Sequence, residues 1–322
     1  MNHPETGVTR VHSITWAAKD ILLFELRPLA GHGPLPGFTA GAHIDLHLSG
    51  GMVRSYSLVN PQGEAHRYVI AVNKDAATRG GSRYLHEAVR VGDCITIGSP
   101  RNNFPLAEDA PLSVFIAGGI GVTPLWCMMQ RLAQLGMSWQ LYYCARTRDH
   151  AAFLDEIASL SARAGANLVL NFDHEPGGRI LDLRAVMRDV PRNAHVYCCG
   201  PNAMLAAFQE ATTAWPQEQI HLEYFSASTP AATAGGYTVV LARSQVSIFV
   251  KEGMTILDAL LEQGIDVPFS CAEGVCGSCE TAVLSGVPDH RDVILTESER
   301  RSGHTMMICC SGCKSKELVL DL

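Results

Sequence analysis

Six of the eleven cysteines lie between positions 271 and 313: Cys271, Cys276, Cys279, Cys309, Cys310 and Cys313. The first three stand in Cys271-Ala-Glu-Gly-Val-Cys276-Gly-Ser-Cys279, a C-x4-C-x2-C pattern. Thiolates bind iron, and this loop spacing suits a plant-type [2Fe–2S] cluster, which needs a fourth cysteine further along the chain. Gly274 and Gly277 let backbone N–H groups turn toward the sulfurs. Zinc sites favour two C-x2-C pairs, whereas this loop holds one, so the cluster is preferred to zinc. An odd cysteine count behind an N-terminus with no signal-peptide pattern argues against a disulfide framework and points to the cytoplasm. Cys94, Cys127 and Cys144 sit in apolar patterns and are expected to be buried thiols.

Three further groups could do chemistry. Gly118-Gly119-Ile120-Gly121-Val122-Thr123-Pro124 follows an apolar run and opens a helical pattern, so its backbone could approach a phosphate at a helix N-terminus. It is not a G-x-G-x-x-G fingerprint. Cys199-Gly200-Pro201 is a second tight turn at a strand end, and both would lie at the carboxyl edge of an open sheet, where ligands bind. In Arg54-Ser55-Tyr56-Ser57 an aromatic ring beside a cation and hydroxyls could pack on and hydrogen-bond an isoalloxazine. Arg79-Gly80-Gly81-Ser82 could offer N–H groups and a hydroxyl to a phosphate.

The elements that must position these groups fall into three segments. Residues 1–106 read as all-β: Ile44, Leu46 and Leu48 alternate with His43, Asp45 and His47, and Gly and Pro turns punctuate several short strands, as in a small antiparallel barrel. His43 and His47 are read as solvated. Residues 107–225 alternate strands and helices, including a helix expected over 151–164, and imply a mainly parallel sheet. Residues 226–236 form an uncharged, flexible linker. In 237–322, Tyr237–Leu241 and Gln245–Val250 read as a hairpin and Thr255–Gln263 as a helix. The uncharged stretch Ala110–Gln130 is long enough to cross a bilayer. Its clustered glycines and prolines fit a strand, turn and buried helix better, so no membrane span is expected. Net charge is −7 across 322 residues, which argues against nucleic-acid binding.

In this order, Arg54-x-Tyr56-Ser57, Gly81-Ser82, Gly118-Gly119-x-Gly121-x-Thr123-Pro124 and Cys199-Gly200-Pro201 resemble the ferredoxin–NADP reductase superfamily. With the C-terminal cysteine loop, the chain resembles the phthalate dioxygenase reductase family, which includes vanillate O-demethylase reductases. Asn102-Asn103-Phe104-Pro105-Leu106, Pro288-Asp289-His290-Arg291-Asp292 and Leu318-Val319-Leu320-Asp321-Leu322 support the resemblance over essentially the whole chain.

The resemblance implies an antiparallel β-barrel flavin domain, an α/β parallel-sheet nucleotide-binding domain and a C-terminal α+β (β-grasp) ferredoxin domain. A flavin must stand between NADH and the cluster, because a hydride carries two electrons and the cluster accepts one. Electrons would then pass to a Rieske oxygenase, with the reductase a monomer that docks transiently through its ferredoxin domain, steered by Glu273 and Glu280. By resemblance Arg54, Ser55, Tyr56 and Ser57 hold the flavin, and Ala71, Val72, Asn73, Gly80, Gly81 and Ser82 complete its site. Thr123 lies between flavin and nicotinamide, Phe225 near the ring, and Cys199-Gly200-Pro201 beside the nicotinamide. Short loops around Arg79–Arg83, with no aromatic insertion for an adenine, agree with FMN rather than FAD. Asp173-His174-Glu175 after a strand favours NADH, since a carboxylate accepts from a ribose and repels a 2′-phosphate; Arg146 and Arg148 weigh the other way. The fourth cluster ligand is expected to be Cys309. Residues 280–308, 29 in all, separate it from Cys279, an interval similar to that of plant-type ferredoxins. On a strand, Met307 and Cys309 would face one way and Ile308 and Cys310 the other. Cys313 is expected as a free thiol in a polar loop.

Overall fold

The structure, a computed structural model, describes residues 6–75, 80–227 and 229–322. It divides into two compact units, Met1–Phe225 and Ser226–Leu322. Arg79 falls outside the described residues.

The first unit opens with β1 (Thr6–Ala18), β2 (Ile21–Pro28), β3 (His43–His47), β4 (Val53–Ser57), β5 (Tyr68–Asn73) and β6 (Cys94–Gly98). They form one antiparallel sheet in the order β4-β3-β6-β1-β2-β5. Past β4 the sheet curls onto itself: Leu58 bridges Ile70, and Val59 N donates to Val69 O at 2.9 Å. Ile44 and Leu46 point into the core, as their alternation requires.

Two expectations fail on this barrel. His43 is buried, not solvated, because the chain after β6 lies over it; its main chain bridges Arg101, whose guanidinium pairs with Asp45 at 2.7 Å. Burial and that guanidinium press the His43 pKa down to about 4, against an opposing pull from Asp45. Cys94, at the first position of β6, is exposed. The segment also carries a short helix, α1 (Gly81–Glu87), anchored by buried Leu85.

Next come β7 (Ser113–Gly118), α2 (Val122–Leu135), β8 (Trp139–Ala145), α3 (Leu154–Ala164), β9 (Asn167–Phe172), α4 (Leu183–Asp189), β10 (His195–Cys199), α5 (Asn202–Ala211) and β11 (Ile220–Glu223). The five strands are parallel, in the order β11-β10-β7-β8-β9. β7 is buried along its whole length because helices cover both faces. Phe115, Leu141 and Tyr143 pack with α2, α3 and the barrel core, whereas Val114, Ile116 and Val196 pack with α4 and α5. The helix expected from Ala151 starts at Leu154, since Phe153 adopts φ 63° and cannot continue a right-handed turn.

The second unit contains β12 (Tyr237–Leu241), β13 (Val246–Val250), α6 (Ile256–Glu262), β14 (Glu280–Ser285), β15 (Pro288–Asp289), α7 (Glu297–Ser302), β16 (Thr305–Met307), β17 (Gly312–Cys313) and β18 (Glu317–Leu320). Its main sheet runs β13-β12-β18-β14-β16, with β15 paired to β17. α6 lays Ile256, Leu257 and Leu260 on the sheet residues Val239, Ile248, Leu318 and Leu320. The segment expected as a free linker is partly docked on this unit. Ala232 N donates to Cys310 O at 2.8 Å and Gly253 N to Thr233 O at 2.8 Å.

Candidate functional site

The cysteine loop from Ser270 to Cys279 has no regular secondary structure, and Ala272, Gly274 and Gly277 take φ values of 55°, 73° and 76°. These left-handed residues wrap the backbone round its own sulfurs. Glu273 N donates to Cys271 Sγ at 3.3 Å, and Cys271 N to Cys276 Sγ at 3.5 Å. Gly274 cannot be replaced freely, because a β-carbon there would strike Cys310 Sγ.

Cys271, Cys276, Cys279 and Cys309 are all buried, and their thiols interact. The Cys271 thiol and burial push the Cys276 pKa upward. Cys271 pulls Cys309 down, but the thiols of Cys279 and Cys310, with burial, outweigh it and leave Cys309 raised. Cys310 turns its thiol toward Met307 O at 3.7 Å and Ser311 Oγ at 3.8 Å. Cys313 directs its thiol to Ser315 O at 3.1 Å. Four soft donors ringed by backbone amides fit a [2Fe–2S] cluster, and iron would displace the protons that the thiols otherwise share. Among the described residues, no three His, Cys, Asp or Glu side chains converge as a single-ion site would require.

The strand geometry expected around Cys309 is not present. β16 ends at Met307, and residues 308–310 form a turn in which Ser311 N donates to Met307 O at 2.9 Å. Leu257 N donates to Ile308 O at 3.1 Å, which ties the chain to α6. Cys313 lies on the short β17 rather than in a loop.

In the first unit the carboxyl ends of β7 and β10 meet. A β-carbon on Gly118 would fall 2.6 Å from Pro201 Cδ, and one on Gly121 would run into the carbonyl of Cys199. The two turns therefore meet at glycines, Gly118 against Pro201 and Gly200, and Gly121 against the Cys199 carbonyl. Thr123 and Pro124 are buried in the first turn of α2, and the Thr123 hydroxyl donates to Ile120 O at 2.9 Å. Gly119 is left-handed, with φ 55° and open space beside it.

On the barrel, Arg54 lies against Gly81, where a β-carbon would fall 2.6 Å from Arg54 Cγ. A guanidinium thus stands beside Gly80, Gly81 and Ser82 at the start of α1. Ser55 Oγ donates to Asp45 Oδ1 at 2.7 Å, Tyr56 is half-buried and Ser57 is buried. Ala71 and Val72 are buried on β5 while Asn73 is exposed, and a His86 ring nitrogen sits 2.9 Å from Val72 O. Asp173 follows β9 with Oδ1 buried and lacking a hydrogen-bond partner among the described residues. Phe225 is 40% exposed.

A domain model for 2Fe-2S iron-sulfur cluster binding matches residues 239–314, and one for an oxidoreductase NAD-binding domain matches 115–210. The phenoxybenzoate dioxygenase subunit beta of Ectopseudomonas oleovorans is 54% identical, covering 97% of this chain and 96% of its own. The tetrachlorobenzoquinone reductase of Sphingobium chlorophenolicum is 51% identical, covering 97% of each. A solved phthalate dioxygenase reductase, described as a modular structure for electron transfer from pyridine nucleotides to [2Fe–2S], is 38% identical. It superposes with a TM-score of 0.76 over 98% of both chains. The chain belongs to the phthalate dioxygenase reductase family.

As a member of that family it is an oxidoreductase with an NAD-binding domain and a [2Fe–2S] domain. No helix among the described residues is long and apolar enough to cross a membrane. One buried acid at this sheet edge was missed in the sequence. Glu223 ends β11 beside Cys199, and its Oε2 is buried with no hydrogen-bond partner among the described residues. Burial pushes its pKa up to about 8, so the carboxyl holds its proton at neutral pH. The available signal was a lone acid closing the apolar strand Ile220-His221-Leu222, two positions before Phe225.

Proposed function

We propose that this chain is the NADH-dependent reductase component of a two-component Rieske aromatic-ring dioxygenase or O-demethylase. The carrying observation is the gathering of four buried thiols in one unit and two closely apposed glycine turns at a sheet edge in the other. A bound flavin, FMN in this reading, would supply the conversion between a two-electron hydride and the single electrons that an iron–sulfur cluster accepts.

The chain's own residues bind and orient. Arg54, with the N–H groups of Gly80 and Gly81 and the Ser82 hydroxyl, receives the flavin phosphate. Ser55, Tyr56, Ser57 and Ala71–Asn73 would hold the ring, with Phe225 near it. Gly118, Gly119, Gly121, Thr123 and Pro124 face the nucleotide phosphates, and Cys199-Gly200-Pro201 borders the nicotinamide. The Glu223 carboxyl, its pKa raised to about 8 by burial, keeps its proton beside this turn at neutral pH. The unpartnered Asp173 Oδ1 accepts from the adenosine ribose and selects NADH over NADPH. Cys271, Cys276, Cys279 and Cys309 hold the irons.

The functional division is 1–106 for flavin, 107–225 for NADH, 226–236 as linker and 237–322 for the cluster. The molecule works as a cytoplasmic monomer that meets its oxygenase transiently through the cluster unit. One specific observation favours a second reading, direct reduction of a quinone: the 51% identical relative is named a tetrachlorobenzoquinone reductase. Purified enzyme supplied with NADH decides between them. The first reading expects cytochrome c reduction, and turnover of an aromatic acid only when a Rieske oxygenase is added. Rapid stoichiometric reduction of a chlorinated benzoquinone by Cys309→Ser protein would instead favour the second. Heat release of the flavin should yield FMN; FAD as the main species would refute that assignment.

A further inference from the structure

The segment after β15 crosses between the cysteine loop and the turn that carries Cys309. Val293 N donates to Gly274 O at 3.0 Å, and Arg291 N to Ser311 Oγ at 3.1 Å. Between these two ties sits Asp292, whose side chain has no exposed surface. A β-carbon on Gly274 would lie 3.0 Å from Asp292 Cα, so the cysteine loop packs directly on this residue.

The carboxylate is incompletely compensated. Oδ2 accepts from Ile294 N at 3.1 Å and Leu295 N at 2.8 Å. Oδ1 is buried with no hydrogen-bond partner among the described residues. His290 Nδ1 lies 3.8 Å from Oδ1, and Arg300 Nη2 lies 3.8 Å from Oδ2. Arg300 donates instead to the main-chain carbonyl of Asp292. Neither His290 ring nitrogen has a hydrogen-bond partner among the described residues, and burial, together with Arg300 and Lys314 and against the pull of Asp292, lowers its pKa, which leaves the ring neutral near pH 7. A charge buried this way is retained at a cost to folding.

We propose that Asp292 is a potential-setting residue: its buried negative charge beneath the cysteine loop holds the [2Fe–2S] cluster at a low reduction potential, with Arg300 as the partial counter-charge. This rests on the assignment of that cluster to Cys271, Cys276, Cys279 and Cys309. Reduction adds one electron, and a fixed like charge in a low-dielectric layer opposes it. Glu273 and Glu280 are poorer candidates. They are half-buried and exposed respectively, and water and salt screen them. A low potential keeps the electron mobile toward an acceptor.

The test is an EPR-monitored redox titration of the full-length holoprotein at fixed pH and salt. Asp292→Asn retains an oxygen that can accept from Ile294 and Leu295, so it removes charge while keeping the turn. Its midpoint should move positive, raising the equilibrium constant for reduction about tenfold, with an unchanged line shape. Arg300→Gln should move the midpoint in the opposite direction. If Asp292 only caps the turn, Asp292→Asn will titrate with the parent, and the proposal falls. Should Asp292→Asn fail to assemble its cluster, Arg300→Gln decides: a negative shift supports the proposal and an unmoved midpoint overturns it. A parent protein with no [2Fe–2S] signal overturns the cluster assignment, and this proposal with it.

Discussion

Glu223 carries a proton that an exposed glutamate would have lost. Its folded pKa of about 8 lies above the ordinary 4.5. Between those values the folded chain keeps a proton that the unfolded chain releases, so stability falls as pH rises through that window, by about 1.4 kcal/mol per unit at most. Glu223→Gln removes the ionisable group. Its unfolding free energy should vary less between pH 4.5 and 8 and exceed the parent's near pH 8 by roughly 1–3 kcal/mol. Urea melts across that range measure this, and superimposable profiles would contradict it. The same carboxyl at neutral pH can donate to a ligand at the sheet edge, so loss of flavin reduction rate in Glu223→Gln is also expected. Asp173 bears on the choice of nucleotide. The parent should favour NADH over NADPH in kcat/KM by at least about tenfold, and Asp173→Ser should narrow that ratio. Comparable values for the two nucleotides in the parent would contradict this.

At the scale of elements, the two turns at the sheet edge are the most constrained contact. A side chain on Gly121 meets the Cys199 carbonyl, and a backbone atom in a buried parallel strand cannot give way. Gly121→Ala should therefore abolish reduction by NADH, while dithionite still develops the cluster signal because the cysteines belong to the other unit. Retained NADH reduction at the parental rate would show that the turns are not as close as described. α6 offers a milder test. Thr255 and Asp258 form a reciprocal capping box, and Thr255→Ala should cost about 1 kcal/mol of stability in the second unit. The parallel strands were readable in the sequence because burial on both faces makes them continuous apolar runs, as in Val114–Ala117. The burial of His43 was not, since its cover comes from Arg101, 58 positions away, and strand alternation carries no information about a loop that returns over the polar face. The turn at Cys309 was hidden for a similar reason: the Ile308 carbonyl accepts from Leu257 N, a partner that local pattern does not reveal.

At the scale of the whole molecule, the order of motifs said more than any one of them. A glycine turn, an Arg-x-Tyr-Ser strand and a C-x4-C-x2-C loop make a reductase only in combination, because hydride chemistry and one-electron chemistry need separate sites with a converter between them. The second unit owns every proposed cluster ligand and the first owns both turns, so the electron path can be cut at one end without disturbing the other. Anaerobic rapid mixing with NADH, followed by visible absorption and EPR, tests this most directly in the parent, Cys309→Ser, Cys310→Ser and Cys313→Ser proteins. The parent, Cys310→Ser and Cys313→Ser should bleach the flavin and then develop the reduced [2Fe–2S] signal. Cys309→Ser should bleach its flavin at the parental rate, lack that signal and lose cytochrome c reduction. A normal cluster signal in Cys309→Ser, above all with its loss in Cys310→Ser, would contradict the account.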